Sequence, residues 1–343
     1  MKKRFMALLL SGVLAVSMFA GCGTEMDKTA VVATDGDVEI TLGLANFATR
    51  FTQAQYDDFY VTYFGEGVWS TDMYGYGTTM GDDLKSSVME SLYAMYALQN
   101  HMADYGVELT SEDVEAISAA AESFISSNSA EAIEALGAER EVVEEYLTLL
   151  TIQSRMYNEI IKDADTNVTD EEANTSAYSQ VYVSKASYKD ADGNTVEYTE
   201  DELALLAQTV KAFGQAAKEN GLESAAETYG YTVTTGTYNT DSTLVTEVAE
   251  ALEALTEDGA VSEVIETEDA YYVVQMDAVT DAEATETYRA SIISDRQTTL
   301  YTEVVDGYME SMVWSLDEKV WEQISFDNLF TLYLTDTEST EVE

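Results

Sequence analysis

Proline is absent from all 343 residues, cysteine and histidine occur once each, and 16 basic residues face 65 acidic ones. Each shortage excludes something. Average usage would supply roughly 17 prolines, so the chain has no prolyl bond to slow its own folding. A single cysteine, Cys22, can neither close an internal disulfide nor share a zinc ion with a second thiol. The formal charge of −49 repels nucleic acid and anionic headgroups, which excludes DNA and RNA as partners. No Gly-rich phosphate loop, nucleophile elbow or zinc spacing occurs, and no cofactor or metal is expected. Disorder is excluded as well, because 46% of the residues are hydrophobic and 10% aromatic.

The setting of Cys22 explains its presence. Lys2, Lys3 and Arg4 precede an uncharged apolar run from Phe5 to Ala20, which is shorter than the roughly 20 residues of a membrane-spanning helix. A charged start, a hydrophobic stretch and small residues form a secretory signal. Ala20-Gly21-Cys22 resembles the bacterial lipobox, departing at Phe19 where leucine is usual. The resemblance implies cleavage after residue 21 and a diacylglyceryl group on Cys22, whose two chains suffice for stable attachment. The expected location is the outer face of the cytoplasmic membrane. The alternatives are a plain secretory peptide and a retained N-terminal anchor.

Beyond Cys22, residues 22–34 read as a tether. Helical spacing puts Leu84, Val88, Leu92, Met95, Leu98 and Met102 on one face. Residues 139–162 carry a second stripe through Val143, Leu147, Leu150, Tyr157 and Ile161. Thr110-Ser-Glu-Asp113 starts another helix, and Thr169-Asp-Glu-Glu172 and Thr280-Asp-Ala-Glu283 have capping-box spacing. His101 falls roughly 100° from the centre of its helix's apolar stripe, a boundary position rather than a catalytic one. The segment 189–202 is oxygen-rich but lacks the glycine and glutamate positions of a calcium loop, so Asp-Gly-Asn reads as a tight turn. Residues 179–280 alternate strand and helix patterns, after which a helical period returns through Tyr288, Ile292, Leu300, Val304, Tyr308 and Met312.

Three stretches resemble one family. VATDGDVEITLG (32–43) is similar to the opening of a SurA-like chaperone domain, and DADTNVTDEEANTSAY (163–178) to the segment leading that domain into a parvulin. GAVSEVIETEDAYYVVQM (259–276) resembles the last strands of a parvulin, and the module has the β-α-α-β-α-β-β order. Together with the lipobox, this order resembles PrsA-type foldase lipoproteins. The implied fold is α+β and mostly helical: a discontinuous chaperone domain (35–178 and 281–330), an inserted parvulin-like module (179–280) and an acidic tail (331–343).

The same resemblance implies the site. Parvulins rotate prolyl bonds between two facing histidines, with methionine and phenylalanines holding the proline ring. In this chain those positions fall on Lys185 and Tyr272 for the histidines, Leu244 for the methionine, and Val248 and Glu253 for the phenylalanines. No histidine lies anywhere in the module, and a carboxylate disfavours an apolar proline pocket. The expectation is a membrane-tethered foldase or holdase for secreted, unfolded polypeptides, with isomerase activity weak or lost. The alternatives are an active prolyl isomerase with an unorthodox site and a solute-binding lipoprotein. Tyr93, Met95, Tyr96 and Met102 are candidates for a client groove, against a core role at the same spacing.

Overall fold

A computed structural model describes residues 12–17, 26–189 and 192–334. Cys22 and the tail from 335 onward lie outside the described residues. The chain divides into two compact units, one made of residues up to Asp163 and from Thr298, the other Ala164–Gln297.

The first unit is helical and built from both ends of the sequence. Thr41 caps the helix Leu42–Phe64 through its hydroxyl, which accepts from the Leu44 amide, and Gly65 ends it at φ 85°, where a side chain would be strained. Thr79 with Asp82 and Thr110 with Asp113 form reciprocal capping boxes on the helices Met80–Asn100 and Ser111–Ser127. Ala130–Leu136 and Arg140–Ile160 follow. This last helix serves three apolar clusters. Val143 and Leu147 pack with Phe47, Phe51 and Phe124; Leu149 joins Ile40, Leu44 and Leu92; Ile152, Met156 and Ile160 meet Leu98 and Val107. The buried set is therefore wider than the expected stripe, with Leu150 and Tyr157 half-buried at its margins and Ile161 beyond the helix end. Tyr93, Met95, Tyr96 and Met102 pack into or against these clusters, so spacing here signals core rather than groove.

The expected discontinuity is present. Val305 is buried against Leu98, Val107 and Ile152, with Leu300, Val304 and Tyr308 beside it. His101, at the end of its helix, stacks on Tyr308 at 3.7 Å and its Nδ1 meets Asp104 at 2.6 Å. The helix Ala282–Glu310 begins in the second unit and continues into the first in sequence.

Two of the expected boundaries move. The tether does not reach residue 34: Val31–Asp35 is a strand between Val38–Thr41 and Ser315–Leu316, and Val32 and Ala33 are buried. Pairing partners on both edges and burial of these two adjacent side chains outweigh the polar neighbourhood that suggested a linker. The C-terminal segment is likewise ordered later than expected, because Leu329–Leu334 is a strand paired antiparallel with Gly12–Ser17. A buried polar network holds this segment. Arg50 donates to the carbonyls of Ser325 and Asn328 at 2.8 and 3.1 Å, while Asp57 accepts from Trp69 Nε1 at 2.6 Å and the Phe330 amide at 2.7 Å. Gln53 bridges the two, accepting from Arg50 and donating to Asp57. Burial brings the Arg50 pKa down to about 10 and holds that of Asp57 above the ordinary carboxylate value despite its donors and Arg50.

The second unit is a four-stranded antiparallel sheet. Its long strands Ser176–Ser184 and Ala270–Ala278 lie side by side, with Val233–Tyr238 on one edge and Ile265–Glu266 on the other. Helices Glu200–Asn220 and Leu222–Tyr229 cover one face through Val210, Phe213 and Leu222. Helix Thr246–Ala254 covers the other through Val248 and Leu252. A small hairpin, Ser187–Lys189 with Thr195–Glu197, carries Gly193 at φ 83°, so the oxygen-rich segment is a turn between extended strands. The module is broader than 179–280. Thr169 caps a short helix Asp170–Ala173, and Asp170 pairs with Arg289 at 2.8 Å. At the other boundary the cap is Asp281, which accepts from the Ala284 amide, while Thr280 turns to Asn174.

Candidate functional site

Alternation along the two central strands decides which residues share the face under helix Thr246–Ala254. Tyr178 pairs with Met276, Gln180 with Val274, and Tyr182 with Tyr272. Tyr178, Val274 and Met276 are buried with Val248 and Leu252, and Leu244, Ile265 and Tyr272 pack at the margin. Gly236 lies opposite Tyr178, where a Cβ would come within 2.9 Å of the phenol ring, so glycine here lets that ring cross the sheet. The open end of this face holds Tyr182 and Tyr272, ring centroids 5.3 Å apart and nearly edge-on, with Tyr182 and Val245 exposed. Burial raises the Tyr272 pKa, reinforced by Tyr182, Asp269 and Glu247, so this phenol is neutral at physiological pH.

Leu244, Val248 and Tyr272 are brought together as the resemblance implies. Glu253 stays on the exposed side of its helix and accepts from the Tyr238 hydroxyl at 2.7 Å, which raises the Tyr238 pKa. Lys185 does not belong to this site. It follows the end of its strand, and its ammonium reaches Glu266 at 2.7 Å and the Thr267 carbonyl at 2.6 Å. It lies 4.6 Å over the ring of Tyr271, a residue that packs on the opposite face of the sheet from Tyr272. The residues facing the site from that strand are Tyr178, Gln180 and Tyr182. A tyrosine pair thus closes the open end of this face. Among the described residues no cluster of His, Cys, Asp or Glu could hold a metal ion.

A second candidate surface lies in the helical unit. Tyr56, Phe59, Tyr60 and Tyr63 follow i, i+3, i+4, i+7 spacing, which ordinarily predicts burial. Here the face is open: Tyr63 is 70% exposed, with Tyr56, Phe59 and Phe64 also exposed. Their rings touch in series, Phe59 to Tyr63 at 4.8 Å and Tyr60 to Trp69 at 5.5 Å. Tyr74 and Tyr76, 84% exposed in the latter case, stack on each other in the next loop at 6.1 Å. Helical spacing alone concealed this surface; the signal that reveals it is the density of aromatic residues between positions 56 and 64, where Val61 is the one aliphatic residue.

A sheet covered by two helices on one face and by one helix beside an apolar cradle on the other defines a parvulin-type module. Residues 168–290 match the family profile of the PPIC-type PPIASE domain. The chain is also similar to solved structures of foldases. It shares 15% identity with the foldase protein PrsA of Lactococcus lactis, covering 86% of this chain and 99% of that one, at a TM-score of 0.36. PrsA of Bacillus cereus is 16% identical over 71% of this chain and 91% of its own, with a TM-score of 0.33. A SurA-like chaperone of Campylobacter jejuni is 11% identical over 84% and 99%, with a TM-score of 0.27. No curated protein matches the chain.

Proposed function

We propose that the protein is an extracytoplasmic folding factor for secreted, unfolded polypeptides, tethered to the outer face of the cytoplasmic membrane by lipid on Cys22. The observation that carries this reading is the exposed aromatic surface of a helical unit that accompanies a PPIC-type domain. Large apolar patches on soluble proteins mark interaction sites, and rings in contact offer adaptable area at low entropic cost. The net charge of −49 keeps such a surface from self-association and favours basic clients. Prolyl isomerisation is secondary in this reading, which the lack of any histidine in the module and the tyrosine pair at the open end of its cradle support.

The test is an aggregation-suppression assay run beside a proline-limited peptide assay. Phe59→Ser with Tyr63→Ser is expected to reduce suppression several-fold without changing the circular dichroism spectrum, since both rings are exposed. Isomerisation by the wild-type protein is expected to rise little above the uncatalysed rate of tens to hundreds of seconds. Robust turnover that is lost in Tyr272→Phe or Tyr182→Ala would instead establish the module as an isomerase with a new site. Anchoring is tested separately: Cys22→Ala should leave the protein unprocessed or released from membranes, and unchanged extraction and precursor size would exclude lipidation.

A further inference from the structure

Among the described residues the strand Leu329–Leu334 pairs with one strand, Gly12–Ser17, which belongs to the segment a signal peptidase would remove. The seat beneath it is built rather than incidental. Leu14 is 3% exposed and packs with Phe51, Ala54, Phe124 and Leu136. Its amide donates to Asn128 Oδ1 at 2.7 Å on one side, while its strand pairs Leu14 with Leu332, Ala15 with Thr331 and Val16 with Phe330 on the other. Asn128 is fixed for this task, because its Nδ2 donates to the Phe124 carbonyl at 2.7 Å and so aims the oxygen at the inserted strand. An extended segment in this slot therefore meets a strand on one edge, a side-chain acceptor for its N–H on the other, and an apolar hole for one side chain.

We propose that processing at Cys22 empties this slot, and that the mature protein uses it to take an extended apolar client segment by strand addition to Leu329–Leu334; this rests on the folding-factor reading above. Residues 12–17 stand in the precursor for that client. Main-chain hydrogen bonding makes such a site tolerant of sequence, and the hole that receives Leu14 selects an aliphatic residue with a free N–H. The occupant is a polypeptide and not a lipid, because the partners are a strand edge and a fixed amide oxygen. The precursor is self-occupied and the processed form is open.

The probe is a fluorescent peptide of residues 10–18 with a lysine tail, titrated by anisotropy against the full chain and against the chain beginning at Cys22. Binding by the shorter form at least tenfold tighter than by the full chain is expected. It should be lost when the peptide carries Leu14→Asp or an N-methyl group at Leu14, and weakened several-fold by Asn128→Ala in the protein. Leu14→Asp in the full chain unseats the strand in cis and should gain binding of the unaltered peptide, a result that misfolding cannot imitate. Equal binding by both forms, indifference to N-methylation, or a dimer of the shorter form that excludes the peptide would overturn the proposal. If the shorter form suppresses aggregation yet binds no peptide, strand addition falls while the folding-factor reading stands; if neither activity is seen, the reading itself falls.

Discussion

Replacing Asp57 by alanine is expected to cost the helical unit roughly 3–5 kcal/mol, lowering its melting temperature by about 6–20 °C. The substitution leaves Trp69 Nε1, the Phe330 amide and Gln53 Nε2 without their acceptor, and deprives buried Arg50 of its counter-charge. Asp57→Asn keeps the shape and one acceptor and should cost less. Arg50→Met removes the donor to the Ser325 and Asn328 carbonyls, and the double variant should lose less than the two single losses combined, because each charge is costly mainly when left alone. Since burial raises the folded-state pKa of Asp57, the proton-linked part of its contribution is fullest below the unfolded value of about 3.9 and is lost as pH rises through the folded value, leaving the acceptor and counter-charge part. The gap between wild type and Asp57→Ala should therefore widen on acidification. Thermal melts from pH 7 to pH 4 measure both effects; a difference below about 1 kcal/mol at every pH would show that the network is dispensable.

Ending the chain at Gln297 should abolish the helical unit altogether. It removes five buried side chains, Val305, Trp321, Ile324, Leu329 and Phe330, each contributing roughly 1.5–3 kcal/mol by burial. Their sum, roughly 8–15 kcal/mol, matches the whole stability of an ordinary domain. The opposite excision should be mild. Tyr157 and Tyr301 lie in the same unit with rings 5.0 Å apart, so the chain leaves and re-enters that unit at neighbouring places. A flexible linker of ten residues, spanning about 17 Å on average, should replace 164–297 and leave a folded unit that still suppresses aggregation. Helical circular dichroism and a cooperative melt in the linker chain, against neither in the truncated chain, are the expected pair of results. A folded truncation or an unfolded linker chain would refute the division.

The helices, the insertion and the order of the inserted module were legible because long apolar periods and capping residues are local signals. Val143 and Leu147 announce a buried face wherever the partner lies, and Thr110 with Asp113 caps a helix without help from elsewhere. What was not legible depends on pairing across long separations. Nothing in GTEMDKTAVVAT says that Ala33 and Thr34 will pair with a strand at Ser315–Leu316. The position of Lys185 was not legible, because a run of alternating residues accepts several registers, and the pairing of Tyr182 with Tyr272 fixes one. The aromatic face at Tyr56–Tyr63 obeys the spacing of a core stripe, yet only Tyr60 finds cover, against Trp69, while Tyr56, Phe59 and Tyr63 stay exposed.

The bonds that close the helical unit join residues far apart in sequence, Arg50 to Asn328 and Asp57 to Phe330 being 278 and 273 positions apart. During synthesis its first part must therefore wait while roughly 130 residues of the inserted module are made, about 7–26 s at the usual elongation rates. The module's strands find their partners within their own segment and can settle first. Through that interval Arg50 and the rings of Phe47 and Phe51 lack their final cover, which is the condition of a client in the function proposed above.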